Sequence, residues 1–355
     1  MILCSTLHDP DNRLLDDLTS ASKVVLKNFD QWVVRTTSST SKDVISQLEK
    51  LNVSVISDAQ TIISDNIVEN DHLVALYEGY NKSKLTNTHT LAYIDGDRVI
   101  VAAKYFKEEF EKMAQLINRI KFTEKYYLNL GRSPEDFFTH HAPLVQTELG
   151  FSKLYTDVFQ ILDKSKNVKA IDIGSTGHVM TLDVAHGIIE QSQNMERVTY
   201  PHPLWLIIAK KMGATIDTCT IEKVLTFETP EQYRNEISER LLKLGKLDES
   251  QNYKDPHTQY AVLQDEYMTT LGIKGPLSAT SPEEWGKRFD LEKSYLHVLK
   301  KYLGDVVSSK MKITLFEKEI DEKIKTINTQ KEAIIKTLST PEDQIRARLR
   351  VAMGQ

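Results

Sequence analysis

Short apolar runs alternate with helix-length amphipathic stretches through roughly the first 230 residues, and nothing else in the chain restricts its fold as much. "MILCSTL" at the start, "QWVVRTT" from Gln31, "VSVIS" from Val53 and "HTLAYID" from His89 read as strands. So do "KYYLNLG" from Lys125 and "VKAIDIG" from Val168. "NRLLDDLTSASKVVLKNF" and "SKDVISQLEKL", the latter opening near Ser41, carry helical spacing. Phe106, Phe110, Met113 and Ile117 share one helical face, and "THHAPLVQTELGFSKLYTDVFQIL" has helical spacing too. Strands alternating with helices of this length imply an α/β fold with a mainly parallel sheet and crossover helices. Four helix starts repeat one formula, at Ser133, Thr229, Ser281 and Thr340: a hydroxyl residue that can cap, then proline, then an acidic or amide side chain at the third helical position.

From about residue 231 onward the pattern is helical. The 355 residues therefore divide into an α/β domain over 1–230 and a helical C-terminal region over 231–355. In the last long segment Phe316, Ile320, Ile324, Ile327, Ile334 and Leu338 line one face of an otherwise charged helix. Such a stripe docks on the chain's own body or on a twin. The near-heptad step from Ile320 to Ile327 to Ile334 leads us to expect a homodimer through the C-terminal helix.

A net charge of −5 argues against a nucleic-acid partner bound through a global basic field. Cys4 and Cys219 are the only cysteines, too few for a disulfide framework or a zinc cluster. With no signal-like leader and no long apolar window, the expectation is a cytoplasmic protein without a membrane span.

The stretch that bears on chemistry is "LAYIDGDRVIVA", residues 91–102, where an apolar run ends at Asp95 and Asp97 around Gly96. In open α/β sheets, ligands bind beyond the carboxyl ends of the strands. An Asp-x-Asp there can hold a hard divalent cation, Mg²⁺ or Mn²⁺, because substrate phosphates and water complete its coordination. Arg98 offsets charge or meets a phosphate. The plain alternative is a solvated hairpin turn, since Asp-Gly is a common hairpin signal. Arg132, at the end of "KYYLNLG", is a phosphate-binding candidate, with His140 nearby in sequence as a metal or acceptor ligand. In "IDIGSTGHVM", Asp172 is the candidate base for an acceptor hydroxyl, while Gly174 and Ser175 let backbone amides approach an anionic or sugar ligand. The plain reading of that segment is a glycine-rich turn with a capping Asp. Trp205 is a sugar platform or, more simply, core. Glu228 is a site acid or the residue before a cap.

"YIDGDR", "LGRSPEDFFTHHAP" and "AIDIGSTGHVMTLDVAHGII" together resemble a little-characterised prokaryotic glycosyltransferase-like group, itself similar to GT-A nucleotide-diphospho-sugar transferases, over roughly residues 1–230. The resemblance implies a GT-A-like (Rossmann-like) fold, a nucleotide-sugar donor and an unknown acceptor. It also implies a donor-binding polar loop after the first strand, at His8, Asp9, Asp11 and Arg13. It further implies an acidic residue just ahead of Trp205, where this chain has Pro201-His202-Pro203-Leu204. That departure keeps a second function in play, a non-catalytic binding or interaction protein on the same fold. "DGDRV" also matches the Asp-x-Asp-x-Thr/Val pattern of haloacid-dehalogenase-like phosphatases, the third alternative. P-loop and GxGxxG signatures are absent.

Overall fold

The computed structural model describes residues 1–10, 12–57, 61–63, 66–68, 70–86, 88–120, 125–137, 140, 142–162, 170–193, 201–226 and 282–337. Its first part interleaves β1 (Ile2–Leu7), α1 (Leu18–Asn28), β2 (Gln31–Thr36), α2 (Lys42–Lys50) and β3 (Ser54–Ile56). A small antiparallel pair follows, β4 (Thr61–Ile63) with β5 (Asn66–Val68), and then α3 (Asp71–Thr86). Next come β6 (Thr90–Tyr93), α4 (Gly96–Tyr105), α5 (Lys107–Arg119) and β7 (Tyr126–Arg132). The chain continues through α6 (Pro134–Phe137), α7 (Ala142–Leu162), β8 (Gly177–Thr181), α8 (Leu182–Ser192), α9 (His202–Lys211) and β9 (Thr215–Ile221). Two long helices close the described part, α10 (Pro282–Val306) and α11 (Lys310–Thr337).

Seven strands form one sheet in the order β3-β2-β1-β6-β8-β7-β9. All are parallel except β8, which runs against both neighbours, with Tyr93 opposite His178 and Leu130 opposite Gly177. The fold is thus the expected α/β class, a mainly parallel, Rossmann-like sheet flanked by helices. Alternation along the strands feeds two cores, as a sheet covered on both faces requires. Ile2, Cys4, Leu91, Tyr93, Tyr127 and Met180 enter one, with α3, α7, α8 and α9 above them. Leu3, Leu7, Ala92, Leu128, Leu130 and Val179 enter the other, under α1, α2, α4 and α5.

Local signals explain the helix starts. The Ser41 hydroxyl accepts from the Val44 amide at 3.3 Å to open α2, and the Ser133 hydroxyl accepts from the Asp136 amide at 3.1 Å to open α6. α10 begins at Pro282, and Ser281 lies outside the described residues. Thr229 and Thr340 lie outside the described residues. Of the expected helical face, Phe110, Met113 and Ile117 are buried along α5, while Phe106 sits at the junction with α4.

Two expectations need correction. Within "VKAIDIG", residues 170–172 belong to no strand and Ile173–Ser175 form a single 3-10 turn. That turn packs on α7 and β7, and Thr176 adopts a left-handed φ of 57° to make the entry into β8. The hairpin alternative for Asp95-Gly96-Asp97 also fails, because β6 leads through Asp95 straight into α4.

α10 buries Trp285, Phe289, Leu296, Leu299 and Leu303 in the same core as α7 and α9. The Tyr155 hydroxyl donates to the Tyr295 carbonyl at 2.9 Å. On α11, Phe316, Ile320 and Ile327 of the expected stripe are buried in that same core, and Ile324 and Ile334 pack against it partly buried. Leu338 lies outside the described residues. The stripe is therefore covered within the chain, chiefly by α10, with exposed ion pairs Lys300–Asp321 and Lys331–Asp290 along the seam. No helix among the described residues is long and apolar enough to cross a membrane.

Candidate functional site

The strand order reverses between β1 and β6. β1 passes to β2 on one side, and the later strands build outward from β6 on the other. Their parallel carboxyl ends open side by side there, at the place where such sheets take ligands.

After β1, Asp9 is buried and its two carboxylate oxygens accept from the Arg13 and Leu14 amides, each at 2.9 Å. Its own carbonyl accepts from the Ser41 amide at 3.0 Å. Asp9 is therefore a loop anchor, and it shapes the loop that carries His8 and Arg13. Both of those are exposed, and His8 Nδ1 lies 3.0 Å from the Thr37 hydroxyl. Asp11 is outside the described residues.

After β6, Asp95 Oδ1 accepts from the Tyr93 hydroxyl at 3.1 Å and the Thr6 hydroxyl at 3.3 Å. Gly96 follows because α4 starts against β1: a Cβ there would stand 2.8 Å from the Thr6 carbonyl oxygen. Asp97 Oδ1 accepts from the amide of its neighbour Arg98 at 2.8 Å. Arg98 reaches across to donate from Nη1 to the Ser175 carbonyl at 2.8 Å, tying the two rim loops together.

Arg132, Asp172, Gly174 and Ser175 do come together, as a buried scaffold. Asp172 Oδ2 accepts from the Arg132 amide at 3.0 Å and from Nε at 2.7 Å, while Oδ1 accepts from Nη2 at 2.6 Å. The same Nη2 also donates to Glu148. Gly174 lies against Glu148, leaving no room for a side chain, and the Ser175 hydroxyl accepts from the Gly177 amide at 3.3 Å. The Asn129 side chain clamps the start of the turn, accepting from the Asp172 amide at 2.9 Å and donating to the Asp172 carbonyl at 3.1 Å. Burial disfavours the Asp172 carboxylate, but the Arg132 guanidinium and its hydrogen bonds outweigh that and hold the carboxyl below its ordinary range. Burial raises the Glu148 carboxyl, against the pull of Arg132 and with the push of Asp172. The predicted base is thus a weak one, engaged on both oxygens.

His140 is buried, with Nδ1 3.2 Å from the Asp136 carbonyl, and Glu228 lies outside the described residues. Trp205 is fully buried against Tyr93, His178 and His202, as a core residue is.

What the sequence did not assemble is a set of three imidazoles behind Asp95, two of them fully buried. His72 comes from the first turn of α3, His178 from β8 and His202 from the first turn of α9. The His202 ring stacks on His178 at 4.8 Å between centroids and meets His72 edge-on at 4.9 Å. His178 Nδ1 lies 2.9 Å from the Tyr127 hydroxyl, and His72 Nδ1 lies 2.5 Å from the Tyr93 hydroxyl. Burial keeps all three rings neutral: it lowers His72 against the opposing charge of Asp95, pushes His178 down to about 3, and drives His202 well below the ordinary imidazole range. Ligand atoms of His72, Asp95 and His202 all lie within 4.8 Å of one another, the one such group of three among the described residues. Asp97 is outside it.

His72 gave no signal in the sequence, because a single histidine at the start of a helix has no periodicity to betray it. His202 and His178 were visible only as neighbours of aromatics and glycines. No protein-family model matches the chain, and no curated protein matches it.

Proposed function

We propose that the protein binds a nucleotide-diphospho-sugar across the β1–β6 gap, with a divalent cation beside Asp95, and transfers the sugar to an acceptor. One observation carries this reading: the reversal of strand order brings the Asp95–Arg98 turn and the polar loop after β1 to the same edge of the sheet. His8 and Arg13, exposed on that loop, would lie beside the nucleotide half of a donor. A cation at Asp95 would neutralise charge building on the leaving diphosphate. Arg98 holds the Asp95 turn to the 172–175 turn, so donor binding and the acceptor side are mechanically joined through its bond to Ser175. Asp172 is too heavily bonded to Arg132 to serve as the base, and that role stays unassigned.

The test is a thermal-shift screen of nucleotides and sugar nucleotides with and without Mn²⁺, since a ligand that binds only the native state raises its stability. A metal-dependent shift that Asp95→Asn removes is the expected result. A panel without any shift would favour the second reading, a non-catalytic protein on this fold. One observation supports that alternative: where the resemblance implies an acid ahead of Trp205, the chain has the fully buried His202. A homodimer in that reading would need the outer side of α11, where Met311 and Leu315 stay exposed, because the apolar stripe is already covered.

A further inference from the structure

We infer that His72, Asp95 and His202 form a binding site for a first-row transition cation of the zinc–iron class, and that the Asp95-Gly96-Asp97 pair is not the cation's seat. The inference is independent of the transferase reading, since it concerns the ion alone.

Three observations lead there. The ligand atoms of His72, Asp95 and His202 lie within 4.8 Å of each other. Donors held about 2.0–2.2 Å from an ion stand roughly 3–4 Å apart, so side-chain rotation suffices to close the set. Second, His202 is completely buried, and neither of its ring nitrogens has a hydrogen-bond partner. A buried polar atom without a partner costs roughly 1–3 kcal/mol. His202 would carry that cost for nothing unless something occupies a nitrogen lone pair, and the nearest suitable place is between Asp95 and His72. Third, the site is closed behind and open in front. His178 and Trp205 wall it on the His202 side, while the His72 and Asp95 side chains keep 14% and 20% of their surface. Tyr93, hydrogen-bonded to both His72 and Asp95, orients these two ligands from outside the set, as supporting shells around metals do. Water or a substrate oxygen can complete the coordination from the exposed side.

Donor chemistry selects the ion. Mg²⁺ demands oxygen ligands and near-octahedral geometry, and two neutral imidazoles suit it poorly. Two imidazoles and one carboxylate suit Zn²⁺, Fe²⁺ or Co²⁺, and Mn²⁺ more weakly by the usual affinity order. Asp97 contributes instead to the first turn of α4, where its carboxylate holds the Arg98 amide.

The test uses the full chain stripped with EDTA and titrated with Co²⁺, whose visible absorption reports nitrogen ligation, without any nucleotide present. The expected result is one Co²⁺ per chain, displaced by Zn²⁺ and not by millimolar Mg²⁺. His72→Asn and Asp95→Asn should weaken binding by about 100-fold or more, beyond what loss of a supporting residue costs. Asp97→Asn should leave it within a few-fold. Circular dichroism checks each fold. Should His202→Gln fail to fold, the partly exposed His72 decides the matter. A wild-type chain that takes up neither Co²⁺ nor Zn²⁺ overturns the site. So does binding lost in Asp97→Asn and kept in His72→Asn.

Discussion

Replacing Arg132 with Met removes the guanidinium that bonds both Glu148 and Asp172 in a buried group. The guanidinium is completely enclosed, and the two carboxylates keep only 6% and 14% of their side-chain surface. Methionine fills most of the same volume, so the change is mainly one of charge. Breaking a buried ion pair from one side costs about 3–5 kcal/mol, because the remaining charge stays buried without compensation. Here two like charges remain, so the upper part of that range is expected at pH 7. The sign of the pH effect follows. Without Arg132, burial and mutual repulsion both raise the folded-state pKa of at least one carboxyl above its unfolded value of about 4. The folded variant then binds more protons than its unfolded chain, so its deficit is largest at neutral pH and shrinks as pH falls toward 5. Arg132→Lys keeps the charge, loses the fork, and should show a smaller deficit with little pH dependence. Urea unfolding followed by tryptophan fluorescence measures this, since Trp32, Trp205 and Trp285 are all buried. A loss below about 1 kcal/mol at pH 7, or an equal loss for Arg132→Met at pH 7 and pH 5, would refute the account of a charge-balanced scaffold.

The remaining expectations are simpler. His178 is held neutral with its pKa near 3, against about 6.5 unfolded, so its contribution is intact at neutral pH and is lost as pH falls below about 6.5. Proton linkage puts the loss at about 2–3 kcal/mol at pH 4.5, and His178→Gln should flatten the stability–pH slope between pH 6 and 4 by up to about 1.4 kcal/mol per unit; an unchanged slope would exclude His178 as the source. Gly96→Ala drives a methyl against the Thr6 carbonyl and should cost about 1–3 kcal/mol by denaturant titration, whereas Gly304→Ala, with open space around it, should be neutral or slightly stabilising. Ile320→Ala, at a fully buried position between α11 and α10, should cost about 2–5 kcal/mol, while Leu315→Ala on the exposed side should cost under about 0.5 kcal/mol. Light scattering that shows Ile320→Ala converting a dimer to monomer, with stability unchanged, would mean the stripe faces a twin after all.

The architecture was legible where local chemistry and tertiary role agree. β1, β2 and α2 are written in apolar runs and a serine cap, and the fold class follows from their alternation. β8 and β9 were passed over for a physical reason. "GHVMT" is short and opens on Gly and His, and "TIDTCTI" is mostly polar, with three threonines and an aspartate, because β9 is the edge of the sheet. "VKAIDIG" misled in the opposite sense, since its apolar residues Ile171 and Ile173 are buried by a turn packed on α7 and β7. At the rim, residue type was read more easily than partnership. Asp9 and Asp172 are acids in suggestive positions, yet one caps its own loop and the other is bound to Arg132. His72 and His202 stand 130 positions apart in sequence, and only the packing of α3 on α8 and of α8 on α9 brings their rings together.

The reversed direction of β8 has a consequence for how this edge can change. In a wholly parallel sheet, each strand gives the functional rim a single exit. Because β8 enters where β6 and β7 leave, the turn before it lands on the same rim as the loops after them. The edge thus gains a segment anchored at both ends, by Asn129 at Asp172 and by Arg98 at Ser175. Between its anchors the turn has little room to vary, since Ile173 is buried and Gly174 has no space for a side chain, so a substitution there would be felt through Arg98 at the start of α4.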